Sequence, residues 1–187
     1  HYDALAAVQK SIRGSDVQGA LYYLAKLIHV GDFDSIERRL ITIAYEDIGL
    51  ANPALCARVV SAVEAARKIG FPEARIPLSV VVIECALSPK SKSAEHGIDA
   101  ALSTVRQTAH QVPSYLRLNA VNVDPIDQYD YDRSDLWHKI QYLPNEISHM
   151  EFYQGGNEDS AEKAYINNYK TLKNTKRSNN MRKLKSQ

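Results

Sequence analysis

Glycines, prolines and capping side chains divide the first 110 residues into six segments that each have helical apolar spacing. In the first segment Leu5, Val8 and Ile12 are three and four residues apart. Gly14 follows at the position where a left-handed helix C-cap is predicted. A capping box that begins at Ser15 predicts the start of the second helix. Segments of this kind joined by short turns predict an all-α fold, a compact array of six to seven helices in hairpins.

The next helices are predicted from the same signals. Asp34 is the predicted N-cap of the third helix, which we expect to end at Gly49. Pro53, directly after Asn52, predicts the first position of the fourth helix, which we expect to end at Gly70.

The fifth segment contains SVVVIE, which on its β-branched residues could also be a buried strand. We favour a helix because the run continues as ECAL and has helices on both sides. Ser91 or Ser93 is expected to cap the sixth helix, whose predicted inward face consists of Ile98, Ala101, Leu102 and Val105.

The segment 111–158 has no sustained period and is rich in tyrosine and proline. We expect it to be irregular and to pack its aromatic rings against the helical body. A last helix is predicted over residues 159–172, followed by a polar, basic tail that we expect to be disordered. Residues 1–110, 111–158 and 159–187 are thus predicted to be a core, a wrapping segment and a terminal helix with its tail, all within one domain.

The net charge of +1 for 187 residues conceals an uneven distribution. From Lys163 onward there are eight basic residues and no acidic residue, so the body is −7 and the tail is +8. The tail could be solvated, or it could contact single-stranded nucleic acid, with its tyrosines stacking on bases. The candidate contact residues are Lys170, Lys173, Lys176, Arg177, Arg182, Lys183 and Lys185.

Several function classes lack their sequence signals. The chain has no G-x-x-x-x-G-K-[ST] and no G-x-G-x-x-G motif, its histidines are scattered, and neither Cys56 nor Cys85 belongs to a C-x-x-C pair. We therefore expect no catalytic residue, cofactor or metal in this chain, and we interpret His96, Asp99 and His110 as surface residues. Buried reduced thiols, the absence of a signal peptide and the lack of a membrane-length apolar run favour a cytoplasmic protein.

Two adjacent carboxylates, Glu46 and Asp47, lie in the predicted last turn of the third helix, where the helix dipole disfavours negative charge. We predict that one of them pairs with Lys10 or Arg13, within a subunit or between subunits. A solvated helix end is the alternative. A third interpretation, a helical hydrolase that uses the two carboxylates, would require them to lie in a deep cleft away from basic residues.

The order of several strings resembles the C-terminal region of the RarA/MgsA family, clamp-loader-related AAA+ ATPases with Werner-helicase-interacting relatives. These strings are KSIRGSD, RRLITIAYEDIGLANP, GFPEARIPLSVVVIECALSPKSKSA, VPSYLR and QYLP. The structural or interface residues that this resemblance suggests are Lys10, Arg13, Gly14, Ser15, Asp16, Glu46, Asp47, Gly49, Pro89, Lys90 and Ser91.

The resemblance implies that the chain is a C-terminal fragment that assembles an ATPase as a homotetramer. ATP and Mg²⁺ would then bind only to N-terminal AAA+ modules. The implied partners are a second copy of the chain, those modules, DNA and single-strand-binding protein, with no membrane, and the implied setting is the stalled replication fork. Residues 119–141 depart from the family, because they lack its usual G-Y-x-Y-P-H-D string. Our first functional prediction is a tetramerisation domain, and the alternative is a single-stranded nucleic-acid-binding module.

Overall fold

The computed structural model describes all 187 residues and contains eight α-helices. They are α1 (Tyr2–Arg13), α2 (Val17–Val30), α3 (Phe33–Ile43), α4 (Pro53–Ile69), α5 (Arg75–Leu87), α6 (Ser93–Gln107), α7 (Lys163–Leu172) and α8 (Met181–Lys185). A π-helical turn (Ala44–Ile48) and a 3₁₀ turn (Gly49–Ala51) join α3 to α4. Between α6 and α7 the chain forms short 3₁₀ turns, and one isolated bridge pairs Ile140 with Ser178. The predicted all-α class is confirmed.

Contacts group the chain into two compact units, residues 1–97 with 153–166, and residues 98–152 with 167–187. The core of the first unit is formed by apolar residues of α1 to α5, including Ile12, Leu40, Val59 and Leu78, which are all buried.

The SVVVIECAL run is helical, as predicted, and buries Val81, Val82 and Cys85. None of the helices is both long and apolar enough to cross a membrane.

The turn between α1 and α2 differs from its predicted form. Gly14 has a φ of −82°, and the left-handed residue is Ser15, with a φ of +58°. The N-cap of α2 is Asp16, whose carboxylate accepts a hydrogen bond from the Gly19 amide at 3.0 Å. Similarly, Asp32 and not Asp34 caps α3, because its carboxylate accepts from the Ser35 amide at 3.1 Å. In both turns the cap is an aspartate one or two positions from the predicted residue.

The predicted inward face of α6 is wrong. Ile98, Leu102 and Val105 are 40 to 68% exposed, so they form an apolar stripe on the surface of the second unit. Periodicity identifies a shared face, but it does not tell whether the protein's own chain covers that face.

The prediction of a disordered tail is also wrong. Helix α8 is capped by Asn180, whose side chain accepts from the Lys183 amide at 3.0 Å. Met181 and Leu184 are buried against Leu136 and Ile140 in a small core that also includes rings of Tyr115 and Tyr129. Two apolar residues spaced three apart are enough to order a short basic segment when the rest of the unit supplies a matching surface. Helix α7 begins at Lys163, four residues after the predicted start at Asp159.

Candidate functional site

The π-helical turn after α3 places Asp47 in the interior of the first unit. The wider turn breaks the regular α-helical progression, and π-helical insertions of this kind are frequent at functional positions. Gly49 ends the turn with φ +46° and ψ −122°, a conformation that favours glycine. Asp47 is 1% exposed, so its carboxylate requires partners from the protein.

Three side chains donate hydrogen bonds to the Asp47 carboxylate. Gln9 Nε2 lies 3.1 Å from Oδ2, Arg13 Nε lies 3.0 Å from Oδ1, and Lys92 Nζ lies 3.0 Å from Oδ1. The predicted pairing of Asp47 with Arg13 is confirmed, and it occurs within one chain. Lys10, the other predicted candidate, lies on the exposed side of α1 and forms none of the ion pairs in the structure.

Gln9 connects Asp47 to the neighbouring carboxylate. Its Nε2 also lies 2.5 Å from Glu46 Oε2, and its Oε1 accepts a hydrogen bond from Arg39 Nη1 at 2.8 Å. Glu46 is partly exposed and lies 3.9 Å from Lys92 Nζ. Both carboxylates therefore have donors, and the alternative of a simply solvated helix end does not describe Asp47.

The balance of burial and hydrogen bonding sets the charge state of this cluster. Burial acts to raise the pKa of Asp47, but the hydrogen bonds from Gln9, Arg13 and Lys92 outweigh it and hold that pKa below its usual value. The hydrogen bond to Asp47 also raises the pKa of Arg13. Asp47 is therefore ionised and Arg13 is protonated at neutral pH.

The loop that follows α5 joins this cluster to the turn between α1 and α2. Lys90 Nζ donates to the Ala86 carbonyl at 3.0 Å, to the Ser88 carbonyl at 2.5 Å and to Ser15 Oγ at 3.1 Å. A cation at these carbonyls also interacts favourably with the C-terminal end of the α5 dipole. Pro89 lies between the end of α5 and this lysine.

The next residue of this loop completes the junction. The Ser91 amide donates to the Asp47 carbonyl at 2.9 Å. The KSIRGSD, EDIG and SPKS strings, distant in sequence, therefore meet at one place. Their role in setting subunit register stays a prediction.

A second buried carboxylate, Glu162, lies directly before α7 and is fully buried. Its oxygens accept from Ser91 Oγ at 2.5 Å, Ser93 Oγ at 2.6 Å, Tyr153 Oη at 2.9 Å and the Asn157 amide at 3.0 Å. Burial acts to raise the pKa of Glu162, but the donated hydrogen bonds, first those of Ser91 and Ser93, hold it below its usual value. The charge therefore persists at neutral pH and is stabilised by neutral donors.

Gly156 permits this arrangement because there is no room for a side chain. A Cβ at this position would overlap Ser91 Oγ and lie 2.8 Å from Glu162 Oε1. Residues 153–162 are thus held against the loop that follows α5 by the hydrogen bonds to this buried acid and by the Asn157 side-chain amide, which donates to the Lys90 carbonyl at 3.0 Å.

Sequence reasoning missed Gln9, Lys92 and Glu162. Gln9 had a visible signal, because it is a polar residue on the same face of α1 as Val8 and Ile12 and is buried with them. Lys92 lies in the SPKSKSA part of a family string, directly after Ser91, but was not singled out. Glu162 gave no signal, since its partner Ser91 is 71 residues away in sequence.

The geometry of these residues gives no support to the hydrolase interpretation, because Asp47 lies beside two basic side chains and not in an open cleft. No three histidine, cysteine or carboxylate side chains come together in a group that could hold a metal ion. The two buried carboxylates, Asp47 and Glu162, instead hold loops together, so their role is to position those loops.

The candidate nucleic-acid residues of the tail lie in the second unit and have different surroundings. Lys173 pairs with Glu151 at 2.7 Å, and Arg182 pairs with Asp127 at 3.0 Å. Lys185 donates to the Pro125 carbonyl at 3.2 Å, and Arg177 donates to the Ile140 carbonyl at 3.0 Å. Lys176 and Lys183 are exposed and form none of the ion pairs in the structure, and Lys170 is exposed on α7.

The fold and these clusters define an all-α domain in which buried charges hold motif-bearing loops together. Residues 14–173 match the family model described as MgsA AAA+ ATPase C terminal, so the chain belongs to that family. The resemblance inferred from the short strings is thereby confirmed.

The chain is similar to the replication-associated recombination protein A of Bacillus subtilis, with 47% identity over 163 residues, 82% of this chain and 38% of that protein. The protein of the same name from Coxiella burnetii is 32% identical over 81% of this chain and 37% of its own length. The ATPase WRNIP1 of Dictyostelium discoideum is 28% identical over 82% of this chain and 18% of its own length. The chain thus spans well under half of the length of these relatives.

Proposed function

We propose that this chain is the self-association domain of an AAA+ ATPase that acts in replication-associated recombination. The observation that supports it is the composition of α5, which is apolar on both sides. One side buries Leu78, Val82 and Cys85 in the core. The other side presents an exposed stripe formed by Ile76, Val80, Ile83 and Leu87.

The stripe has the geometry of a helix interface. Its residues are spaced by four, three and four positions and are 37 to 63% exposed. They span about 16 Å along the helix, because each residue adds about 1.5 Å. A helix that is apolar all round is normally buried on all sides. The exposed apolar side of α5 is therefore expected to be covered by a binding partner.

The surface beside the stripe is also apolar. A groove of about 530 Å³ between α2 and α5 is lined by Leu21, Leu24, Ala25, Ile28 and Ile76, with His29, Arg75 and Ser79 at its polar edge. The stripe and groove share Ile76, so they form one surface on the first unit. We call this surface the α5 face.

A second copy of the chain is the partner we propose. Symmetric self-association is the commonest assembly of soluble proteins, and a tetramer with dihedral symmetry uses more than one kind of interface. The α5 face belongs to the first unit, and the exposed α6 stripe (Ile98, Leu102 and Val105) belongs to the second. Two apolar surfaces on one chain support a homotetramer, because a dimer needs only one interface.

The remaining parts of the proposal rest on the family and its relatives. ATP and Mg²⁺ would bind to modules N-terminal to the matched residues, and the assembled ATPase would act on DNA at stalled forks in the cytoplasm with single-strand-binding protein. The gene sequence upstream of His1 tests the first part, since it should encode a P-loop ahead of the matched residues.

The oligomeric state tests the α5 face. Light scattering on the 187-residue chain at micromolar concentration should give four times the chain mass. Val80→Asp combined with Ile83→Asp should weaken association by about a thousandfold and give smaller species, because it would bury unpaired charges in the interface.

Val112→Asp combined with Val121→Asp is the matched control, since both valines are exposed and lie outside the stripe. This control should keep the wild-type mass, and circular dichroism should show unchanged helix content in all variants. A monomeric wild type would overturn the proposal, and a fully tetrameric Val80/Ile83 variant would place the interface elsewhere.

A further inference from the structure

The ordered tail places several cations at defined positions in the second unit. Residues 174–187 lie outside the part of the chain that matches the family model, which ends at residue 173. Because Met181 and Leu184 are buried with Leu136 and Ile140, the basic residues around them are held by a folded segment. A binding surface of this kind loses less conformational entropy on binding than a disordered tail would.

Three of these basic side chains line one cleft together with Lys139, which precedes the tail. The cleft measures about 560 Å³, and its charged side chains are Lys139, Lys176, Arg177 and Lys183. The other lining residues are uncharged: Gln141, Thr175, Ser178, Asn179, Leu184 and Gln187. We call it the basic cleft.

Pairing inside the protein has not neutralised the basic cleft. Lys139, Lys176 and Lys183 form none of the ion pairs in the structure, whereas the nearby Arg182 and Lys173 do. Asp135, which precedes Lys139 in the same 3₁₀ turn, is already paired with Arg133 at 3.0 Å. Like charges that converge without counter-charges repel each other, and a bound polyanion would relieve that repulsion.

A second cleft adjoins the basic cleft and is aromatic. It measures about 760 Å³, shares Gln141, Thr175, Lys176 and Arg177 with the basic cleft, and adds Tyr142, Tyr169, His149, Met150 and Leu172. Its one acidic residue, Glu151, is paired with Lys173 at 2.7 Å. We call it the aromatic cleft.

Arg177 and Tyr142 mark the junction between the clefts. The Arg177 guanidinium lies 5.6 Å from the centre of the Tyr142 ring, and its Nη1 donates to the Ile140 carbonyl at 3.0 Å. The Tyr142 hydroxyl in turn donates to the Trp137 carbonyl at 2.8 Å. These contacts fix the orientation of both side chains, and the tyrosine is still 42% exposed.

We infer that the two clefts together bind a single-stranded nucleic acid, with phosphates in the basic cleft and a base against Tyr142. Cations that follow a backbone beside an exposed ring are the combination that single-strand-binding surfaces use. A duplex has no free base face to offer the ring. This inference goes beyond self-association, because its residues belong to neither the α5 face nor the α6 stripe.

Binding of a fluorescent twelve-nucleotide oligothymidine to the full chain, followed by anisotropy at several salt concentrations, tests the phosphate contacts. With four cations engaged, the slope of log affinity against log salt should be about −3. Lys139→Gln combined with Lys183→Gln should reduce the size of that slope by about 1.4 and weaken binding at least about tenfold at moderate salt.

Lys68→Gln combined with Lys163→Gln is the matched control, because it removes the same charge at exposed positions outside the clefts. This control should leave the slope unchanged. An equal effect of the two pairs would show that only net charge matters and would overturn the site, as would a wild-type chain that does not bind.

A substitution at Tyr142 tests the base contact separately. Tyr142→Leu should weaken oligothymidine binding about tenfold with the salt slope unchanged, whereas Tyr142→Phe should retain most of the affinity because it keeps the ring. Polyglutamate and an abasic sugar-phosphate oligomer of equal length should bind more weakly than oligothymidine and should not respond to Tyr142→Leu. Equal binding of these polymers, or tighter binding of a duplex, would overturn the inference.

The readouts separate this inference from the proposed self-association. Light scattering reports the mass of every variant independently of oligonucleotide binding. A monomeric chain that binds oligothymidine with the expected variant effects would support the clefts and contradict only the α5 face. Point substitutions are preferable to removal of residues 174–187, because removal would expose Leu136 and Ile140.

Discussion

We expect Asp47→Ala to lower the free energy of unfolding by about 3 kcal/mol, measured by urea denaturation followed by circular dichroism. The substitution removes the shared acceptor of Gln9, Arg13 and Lys92. Gln9 is buried and would lose one hydrogen bond, while the two cations would lose their shared counter-charge. A loss of about 3 kcal/mol is at the lower end of the range for a broken buried ion pair. The reason is that Arg13 and Lys92 are partly exposed, so water can hydrate them once the carboxylate is removed.

Asp99→Ala is the matched control, since Asp99 is an exposed aspartate on α6. It should change stability by no more than about 0.5 kcal/mol. Arg13→Ala should cost less than Asp47→Ala, because Asp47 would keep Gln9 and Lys92. Equal stabilities of Asp47→Ala and Asp99→Ala would mean that the cluster contributes nothing.

The contribution of Asp47 should depend on pH in one direction. Its pKa is lower in the folded state than the value of about 3.9 for an unfolded aspartate, so the ionised form is preferred on folding. The stabilisation is therefore fully present above about pH 5 and is lost as the pH falls through 3.9 toward the folded-state pKa. The stability difference between wild type and Asp47→Ala should shrink accordingly, and a constant difference would contradict the assignment.

Glu162→Ala should have the largest effect on stability, a loss of about 4 kcal/mol. It leaves the hydroxyls of Ser91, Ser93 and Tyr153 and the Asn157 amide without their acceptor. Each unsatisfied buried donor costs about 1–3 kcal/mol, although the hydroxyls can partly rotate to new partners. Thermal unfolding and hydrogen exchange of residues 153–162 would measure the loss globally and locally.

Glu162→Gln is the informative milder variant, because it keeps one carbonyl acceptor and nearly the same volume. It should cost about half as much as the alanine variant. Glu64→Ala, at an exposed position of α4, is the control and should be nearly neutral. If Glu162→Ala and Glu64→Ala are equally stable, the buried carboxylate does not hold residues 153–162 in place.

Local sequence signals predicted the helices of the first unit well. Helix α5 is an example. Its β-branched residues favoured a strand, but the apolar run continues beyond SVVVIE and has predicted helices on both sides, and these two signals correctly favoured a helix. The caps were predicted less accurately. Ser15 and Asp16 are both good capping residues, and the choice between them depends on which one the turn places in the left-handed region.

The candidate site was predictable only in part. The unfavourable position of Glu46 and Asp47 at a helix end favoured a basic partner over a solvated end, and Arg13 is one of the two basic partners of Asp47. Lys92 and Glu162 could not be identified, because no local pattern connects residues that are 45 or 71 positions from their partners. Similarly, Lys139 joins the tail lysines in one cleft although it lies well before the tail.

The sequence by itself determined the all-α class, the helix faces and the family, because helical periodicity, capping and motif strings are properties of neighbouring residues. Only the tertiary structure decided which faces remain uncovered, which charges are neutralised and whether the tail is ordered. Those outcomes depend on the path of the whole chain. The apolar α6 face is exposed and the polar tail is docked, because burial follows from the surface that the rest of the fold offers.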